Sequence, residues 1–271
     1  MKVPFVLNVD WIVLLSGAGL LYALALAGGR RRGYRHAVAR SMAFYVGLAV
    51  LAVTFVSPLD NYVRVSLLAH ATQVVLMIFA AAPLIAYGAP MAVLIRILPE
   101  GLRGRLLALI RDSRLARLVS GPLVSTVIFM GLVTVTLTPA FLNEALTDRQ
   151  LYLPEYMVYV VGGYLLWRSI LRVEGPHRHA ALTRQVAALL LLLGLVVAIG
   201  IVLVWHQVPL YSAYAALPRP WGGRGALWSQ RKAGELLLLT SAALGALVPL
   251  LLRRLPRSAP DRKPGAARSF E

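Results

Sequence analysis

The chain has 271 residues, 59% of them hydrophobic and only 14% charged, with a formal net charge of +17. Soluble globular domains average about 45–50% apolar and about 25% charged residues, so this composition does not fit one. Disorder is excluded as well, because so apolar a chain can bury far more surface than its ordering costs. The lack of cysteine excludes a disulfide scaffold, an iron–sulfur site and any thiolate metal site.

A transmembrane helix needs roughly 20 mostly apolar residues to cross the ~30 Å hydrocarbon core. Seven stretches qualify in chain order: Trp11 to Ala27, Met42 to Pro58, Val65 to Gly88, Leu118 to Thr138, Leu151 to Trp167, Val186 to Trp205 and Ala233 to Leu252. Interior Pro83, Gly194 and Gly200 are tolerated, since neighbouring helices satisfy freed backbone groups and small residues allow close packing. The first stretch does not read as a signal peptide. Only Lys2 precedes it, whereas Arg30, Arg31, Arg32 and Arg35 follow it, the reverse of a signal peptide's charge order. The segment from Pro90 to Arg117 mixes leucines with arginines and predicts a short helix on the membrane surface. The Pro- and Arg-rich residues 256–271 predict a solvated, disordered basic tail behind a transmembrane domain of residues 1–255.

Loop charges give an orientation. The segments after the first, third and fifth stretches, together with the tail, hold 21 of the 28 Lys and Arg residues. Basic residues stay in the cytoplasm, which predicts an all-α, polytopic integral membrane protein: a bundle of seven transmembrane helices, N-terminus outside and C-terminus cytoplasmic. The loop from Gln207 to Lys232, with four basic residues, fits this least well. Because the basic residues are interleaved with spans, they predict anionic lipid at the cytoplasmic face as their partner. They form no basic face with stacking aromatics, so no nucleic-acid partner is expected.

Polar groups inside a membrane are costly and mark function. On this topology they gather at the outer helix ends: Asp60 and Asn61, then His70 and Gln73, then Glu155 and Tyr156, His206 and Gln207, and finally Gln230 and Glu235. A structural reading of each is also available, since His206 beside Trp205 suits an interfacial anchor and Glu155 and Glu235 suit helix first turns. His36, His177 and His179 fall in basic loops. A metal site would have to join His70, His206 and Met157 from different helices, because Met77 lies two turns, roughly 10 Å, from His70 along the axis. The chain has no G-x-S-x-G, no H-E-x-x-H and no pair of intramembrane aspartates, so no enzyme activity is expected. The span interiors offer little beyond Thr54, Ser125, Thr126 and Thr134, and no internal repeat is found, which argues against a transporter.

These residues bring a family into view. Asp10-Trp11, Tyr22 and the Arg30-Arg31-Arg32 cluster, Phe55-Val56-Ser57-Pro58-Leu59-Asp60, Ala69-His70-Ala71-Thr72-Gln73-Val74, Ala81 to Pro90, Leu210 to Ala215 and Pro218 to Gly222 follow one another in an order that resembles the CtaG-type cytochrome c oxidase assembly factors. Those are seven-helix proteins of bacterial plasma membranes, and the likeness covers most of the chain. Departures are concentrated in the histidines. Where the family pattern has His-x-x-Gln-His on the third helix, Val74 replaces the second His. Thr138-Pro139 stands for His-Pro, Tyr152-Leu153-Pro154-Glu155-Tyr156 for His-x-x-Glu-His, and Ser229-Gln230-Arg231 for Asp-Gln-Gln.

The resemblance implies an assembly factor or integral accessory subunit of a bacterial heme–copper respiratory oxidase, multi-pass in the inner membrane. It would act by docking to oxidase or other respiratory-complex membrane subunits, with no cofactor of its own. Asp60, His70, Gln73, Glu155, Tyr156, His206, Gln230 and Glu235 form the expected functional face. The alternative is a copper-binding or copper-delivery protein holding the ion through His70, His206 and Met157. With most family histidines replaced, the resemblance points to docking.

Overall fold

A computed structural model describes residues 8–113, 121–146, 148–171, 182–216, 225–246 and 248–249, and every regular element among them is helical. Helices α1 (Val9–Arg31) and α2 (Val38–Val56) are joined by an arginine-rich turn. The single turn α3 (Leu59–Val63) leads into a composite rod made of α4 (Leu67–Val75), a π-helical turn (Leu76–Ala81) and α5 (Ala82–Tyr87). Next come α6 (Pro90–Ile97) and α7 (Glu100–Asp112), broken at Leu98-Pro99, where one surface helix was expected. A second composite rod, α10 (Arg149–Met157), a π turn (Val158–Gly162) and α11 (Gly163–Leu171), follows α8 (Pro122–Thr136) and α9 (Pro139–Ala145). The chain then forms α12 (Leu182–Trp205), α13 (Ser212–Ala216) and α14 (Ala226–Gly245).

Four helices, spanning Val9–Arg31, Val38–Val56, Leu67–Ile97 and Leu182–Trp205, have the length and apolarity to cross a membrane, and the pair α8–α9, bent by 67°, makes a fifth. The expectation of seven spans is therefore met in part. The remaining two stretches fall on α10–α11 and on α14, which are long enough but carry Arg149, Glu155 and Arg168, and Arg231, Lys232 and Glu235. The residues 256–271, and His177 and His179, lie outside the described residues.

Pro83 explains the first π turn. It has no N–H, and its ring opposes a regular bond to the carbonyl four residues back. Widening the turn to i→i+5 pairing would leave the Ile78 carbonyl facing Pro83, so that oxygen needs another donor. The indole N–H of Trp167 supplies it from α11, 2.6 Å away, and both groups are buried. Trp167→Phe should therefore cost about 1–3 kcal/mol, the usual penalty for stranding a buried carbonyl. The measurement is thermal unfolding in detergent. A melting curve that does not move would show that the carbonyl finds another donor.

Hydroxyls within the helices satisfy themselves locally. Thr54, Thr126 and Thr134 donate to Val50, Pro122 and Met130 carbonyls four residues back, at 2.7, 2.7 and 2.8 Å, so they offer no polar path through the bundle. The start and the middle of α1 are held by aromatic pairs. Trp11 stacks on Phe55 with ring centres 3.7 Å apart, and Tyr22 stacks on Phe44 at 3.9 Å.

Helices α12 and α14 make the most extensive pairing, and two glycines allow it. A Cβ on Gly234 would stand 2.6 Å from the Gly200 carbonyl oxygen, and one on Gly200 would stand 3.1 Å from the Gly234 carbonyl oxygen. The backbones meet where neither residue has a side chain, the usual device for close helix approach in a membrane.

Candidate functional site

The start of α4 is pinned by two serines. Ser66 caps it, accepting from the Ala69 N–H at 3.5 Å. Ser229, at the start of α14, accepts from the Leu68 N–H at 3.0 Å and shares a hydrogen bond with Ser66 at 3.0 Å. With that end fixed, the three-residue spacing turns His70 and Gln73 to one face, and both are buried.

Gln73 is the centre of a first polar chain. Its amide donates to the Thr54 carbonyl (3.0 Å) and to Asp60 Oδ1 (3.1 Å), and its Oε1 accepts a short hydrogen bond from the Tyr156 hydroxyl. Asp60, half-buried, is the outward end of this chain. A second chain runs beside it. Tyr159 donates to Glu155 Oε1 (3.1 Å) and shares a hydrogen bond with Thr136 (2.9 Å). His70 Nε2 stands 3.5 Å from the same Glu155 oxygen, within ion-pair reach, yet neither ring nitrogen has a hydrogen-bond partner. The rings of Tyr156 and Tyr159 meet edge to face at 6.4 Å, so the two chains are neighbours. Of the residues singled out in the sequence, Asp60, His70, Gln73, Glu155 and Tyr156 are thus brought together, from α3, α4 and α10. Thr54, Thr136 and Tyr159 complete the cluster and were not singled out for it. Tyr159 was accessible from spacing, because it lies one turn after Glu155 on the same helix face.

The two π turns pack against each other, and each begins within six residues of its rod's buried ionisable side chain, His70 or Glu155. π turns inside α-helices are frequent at functional sites. On its other side His70 lines an apolar cavity of ≈ 50 Å³, enough for a few waters. Leu67, Val74, Ile78, Phe129, Val133 and Leu192 are among its walls, and Tyr211 is the other polar side chain there. Tyr211 donates to the Leu137 carbonyl at 2.9 Å. Burial and then the Glu155 carboxylate push its hydroxyl up to about 12, so it stays a neutral donor.

Of the other expected residues, Gln230 and His206 serve the loop at 206–211. Gln230, buried, accepts from the Leu210 N–H (2.8 Å) and donates to the Leu203 and Val208 carbonyls (3.3 and 3.4 Å). His206 Nδ1 lies 2.8 Å from the same Val208 carbonyl and therefore carries the proton of that bond. Glu235 is exposed and pairs with Lys232. Met157 packs against the main hydrophobic core.

A copper ion is not well served by this arrangement. Copper(I) prefers thiolate, thioether and imidazole donors. The cluster offers one imidazole and two carboxylates, with Asp60 on one chain and Glu155 on the other, and among the described residues no three His, Asp or Glu side chains gather at metal-binding distance. What the cluster can do is hold two carboxylates, an imidazole and three hydroxyls in one fixed, largely buried arrangement.

Residues 20–258 match the sequence profile of a family described as cytochrome c oxidase caa3 assembly factors. No curated protein and no solved structure matches the chain.

Proposed function

The chain belongs to the cytochrome c oxidase caa3 assembly factor family, and from that premise we propose that it serves oxidase maturation as a non-enzymatic docking factor or accessory subunit. Its partners in this reading are the membrane subunits of a bacterial heme–copper oxidase. All seven apolar stretches cross the inner membrane, with the N-terminus outside and the basic loops and tail in the cytoplasm among anionic lipid headgroups. The polar cluster of α3, α4 and α10 then lies near the outer surface. Asp60, half-buried, is its outward end, and His206, Gln230 and Glu235 belong to the neighbouring rim.

One observation carries docking over copper delivery. Gln73, Tyr156, Glu155 and Tyr159 bond to one another and to backbone, which stiffens a platform instead of converging several soft donors on one point. The test is purification of the native protein in gentle detergent, with copper and heme assayed on the same sample. We expect co-purification with metal-replete oxidase, no copper on the isolated protein, and His70→Ala that still associates. About one copper per chain, lost on His70→Ala, would establish the delivery reading instead.

A further inference from the structure

The opposite end of the bundle gathers arginines around a buried phenol. Tyr22, 1% exposed, donates its hydroxyl proton to the Gly88 carbonyl at 2.9 Å. The 3.1 Å contact between that hydroxyl and His36 Nε2 must then run from the imidazole N–H to the phenol oxygen, because the phenol has one proton to give. His36 is thereby fixed in place. Burial, then the Arg40 charge, then the Arg96 charge, holds its pKa below the usual imidazole value.

Those guanidiniums are steadied by rings. Arg40 lies 5.9 Å from the centre of the Tyr87 ring, and Arg96 lies 5.4 Å from that of Tyr34. Arg103, on α7, donates to the Tyr34 hydroxyl at 3.1 Å. Among the described residues none of Arg40, Arg96 and Arg103 has a carboxylate within ion-pair distance. Arg32 differs, since it is used by the Arg96, Ile97 and Leu98 carbonyls at 3.0–3.4 Å, where it closes the end of α6. The cluster is thus a set of half-buried cations, held against aromatic rings or a phenol hydroxyl and lacking a counterion among the described residues. Its level in the membrane is set by its neighbours. The turn at 32–37 joins two helices of membrane-crossing length, and Tyr87 closes α5 beside Gly88, which packs against Phe44 and Arg40, the depth at which tyrosines and lipid headgroups meet.

We propose that Arg40 and Arg96, steadied by Tyr87 and Tyr34 and flanked by His36, form a binding site for the phosphate of an anionic membrane phospholipid. Guanidiniums match phosphate oxygens through paired N–H donors, and bound phosphate relieves the mutual repulsion of the cations. A zwitterionic lipid offers the same phosphate but adds its own cation to the cluster, so the site selects headgroups with net negative charge. This site rests on the membrane topology and anionic-lipid contact of the proposed function and is independent of oxidase docking.

The experiment is native mass spectrometry of delipidated full-length protein in detergent, titrated with phosphatidylglycerol and with phosphatidylcholine. Wild type should prefer phosphatidylglycerol by about 25-fold, and Arg40→Gln/Arg96→Gln should bring the two lipids near parity, at about fivefold per arginine. Arg64→Gln, at the other end of the bundle, should keep the wild-type ratio. If the double variant does not fold, the wild-type ratio and Arg40→Gln alone decide. Parity in wild type, an equal loss in Arg64→Gln, or displacement of the lipid by millimolar inorganic phosphate would each overturn the proposal, the last by showing a site for a free anion.

Discussion

Gly234→Val should abolish the accumulation of folded protein, whereas Gly194→Ala should leave it unchanged or slightly more stable. A Cβ at residue 234 would stand 2.6 Å from the Gly200 carbonyl oxygen, 2.8 Å from the Val204 side chain and 3.0 Å from Leu203. The first of these is backbone, in a helix packed against α14 over much of its length, so it cannot step aside alone. Forcing the helices apart sacrifices dispersion contacts all along the pairing. Overpacking costs about 1–3 kcal/mol in ordinary cores and more where backbone must move, so we expect a loss above about 3 kcal/mol. Gly194 is the matched control, since nothing lies within 4 Å of its Cβ position and the residue is exposed. There the only change is alanine for glycine inside a helix, worth about 0.5–1 kcal/mol in favour of folding. Fluorescence-detected size exclusion of heated samples reads both. A Gly234→Val protein that melts with wild type would show that α12 and α14 do not approach as described.

The second large effect is expected at Gln73. Leucine is close to glutamine in size, so Gln73→Leu leaves little cavity and isolates the polar loss. Three hydrogen bonds disappear at once: those to the Thr54 carbonyl, to Asp60 and from Tyr156. Each buried group left short of a partner costs about 1–3 kcal/mol, and the groups share a network, so the sum is not additive. We expect a net loss of about 2–4 kcal/mol together with loss of oxidase assembly, read as heme absorbance of membranes from cells carrying the variant. Glu235→Gln removes only an exposed pair with Lys232, a class of interaction worth about 0–1 kcal/mol, and should assemble oxidase normally. Wild-type assembly and melting in Gln73→Leu would show that the polar cluster contributes neither rigidity nor function.

Apolar run length made the helices at 9–31, 38–56, 67–87 and 182–205 legible in the sequence. It was less informative for α14 and for the rod at 149–171, where charges dilute the signal that length provides. Within the site, spacing placed His70 beside Gln73, and the gathering of polar residues at helix ends brought Glu155 and Tyr156 into the same set. What the sequence could not supply was which helices are neighbours. The role of Thr54 is carried by its backbone carbonyl, which every residue has, so nothing in its identity points to Gln73. Gln230 likewise reads as a helix-end polar residue, and only the folded chain shows that its amide ties down the loop at 206–211. The π turns escape detection because they are set by local backbone pairing, for which Pro83 is one hint and Pro154 a weaker one.

The paired π turns have a consequence for how such a bundle can change. In α geometry each residue rotates the following face by about 100°, and a wider turn breaks that progression. Each composite rod therefore has two angular settings. Before the break, His70, Gln73, Glu155 and Tyr156 are aimed at one another. Beyond it, Ala82 meets Gly163 and Trp167 reaches back to Ile78. Side chains in the first half can be exchanged without disturbing the direction in which the second half points. The two halves are mechanically joined but separately phased, so the chemistry of one end can drift while the helix contacts that define the fold stay in register.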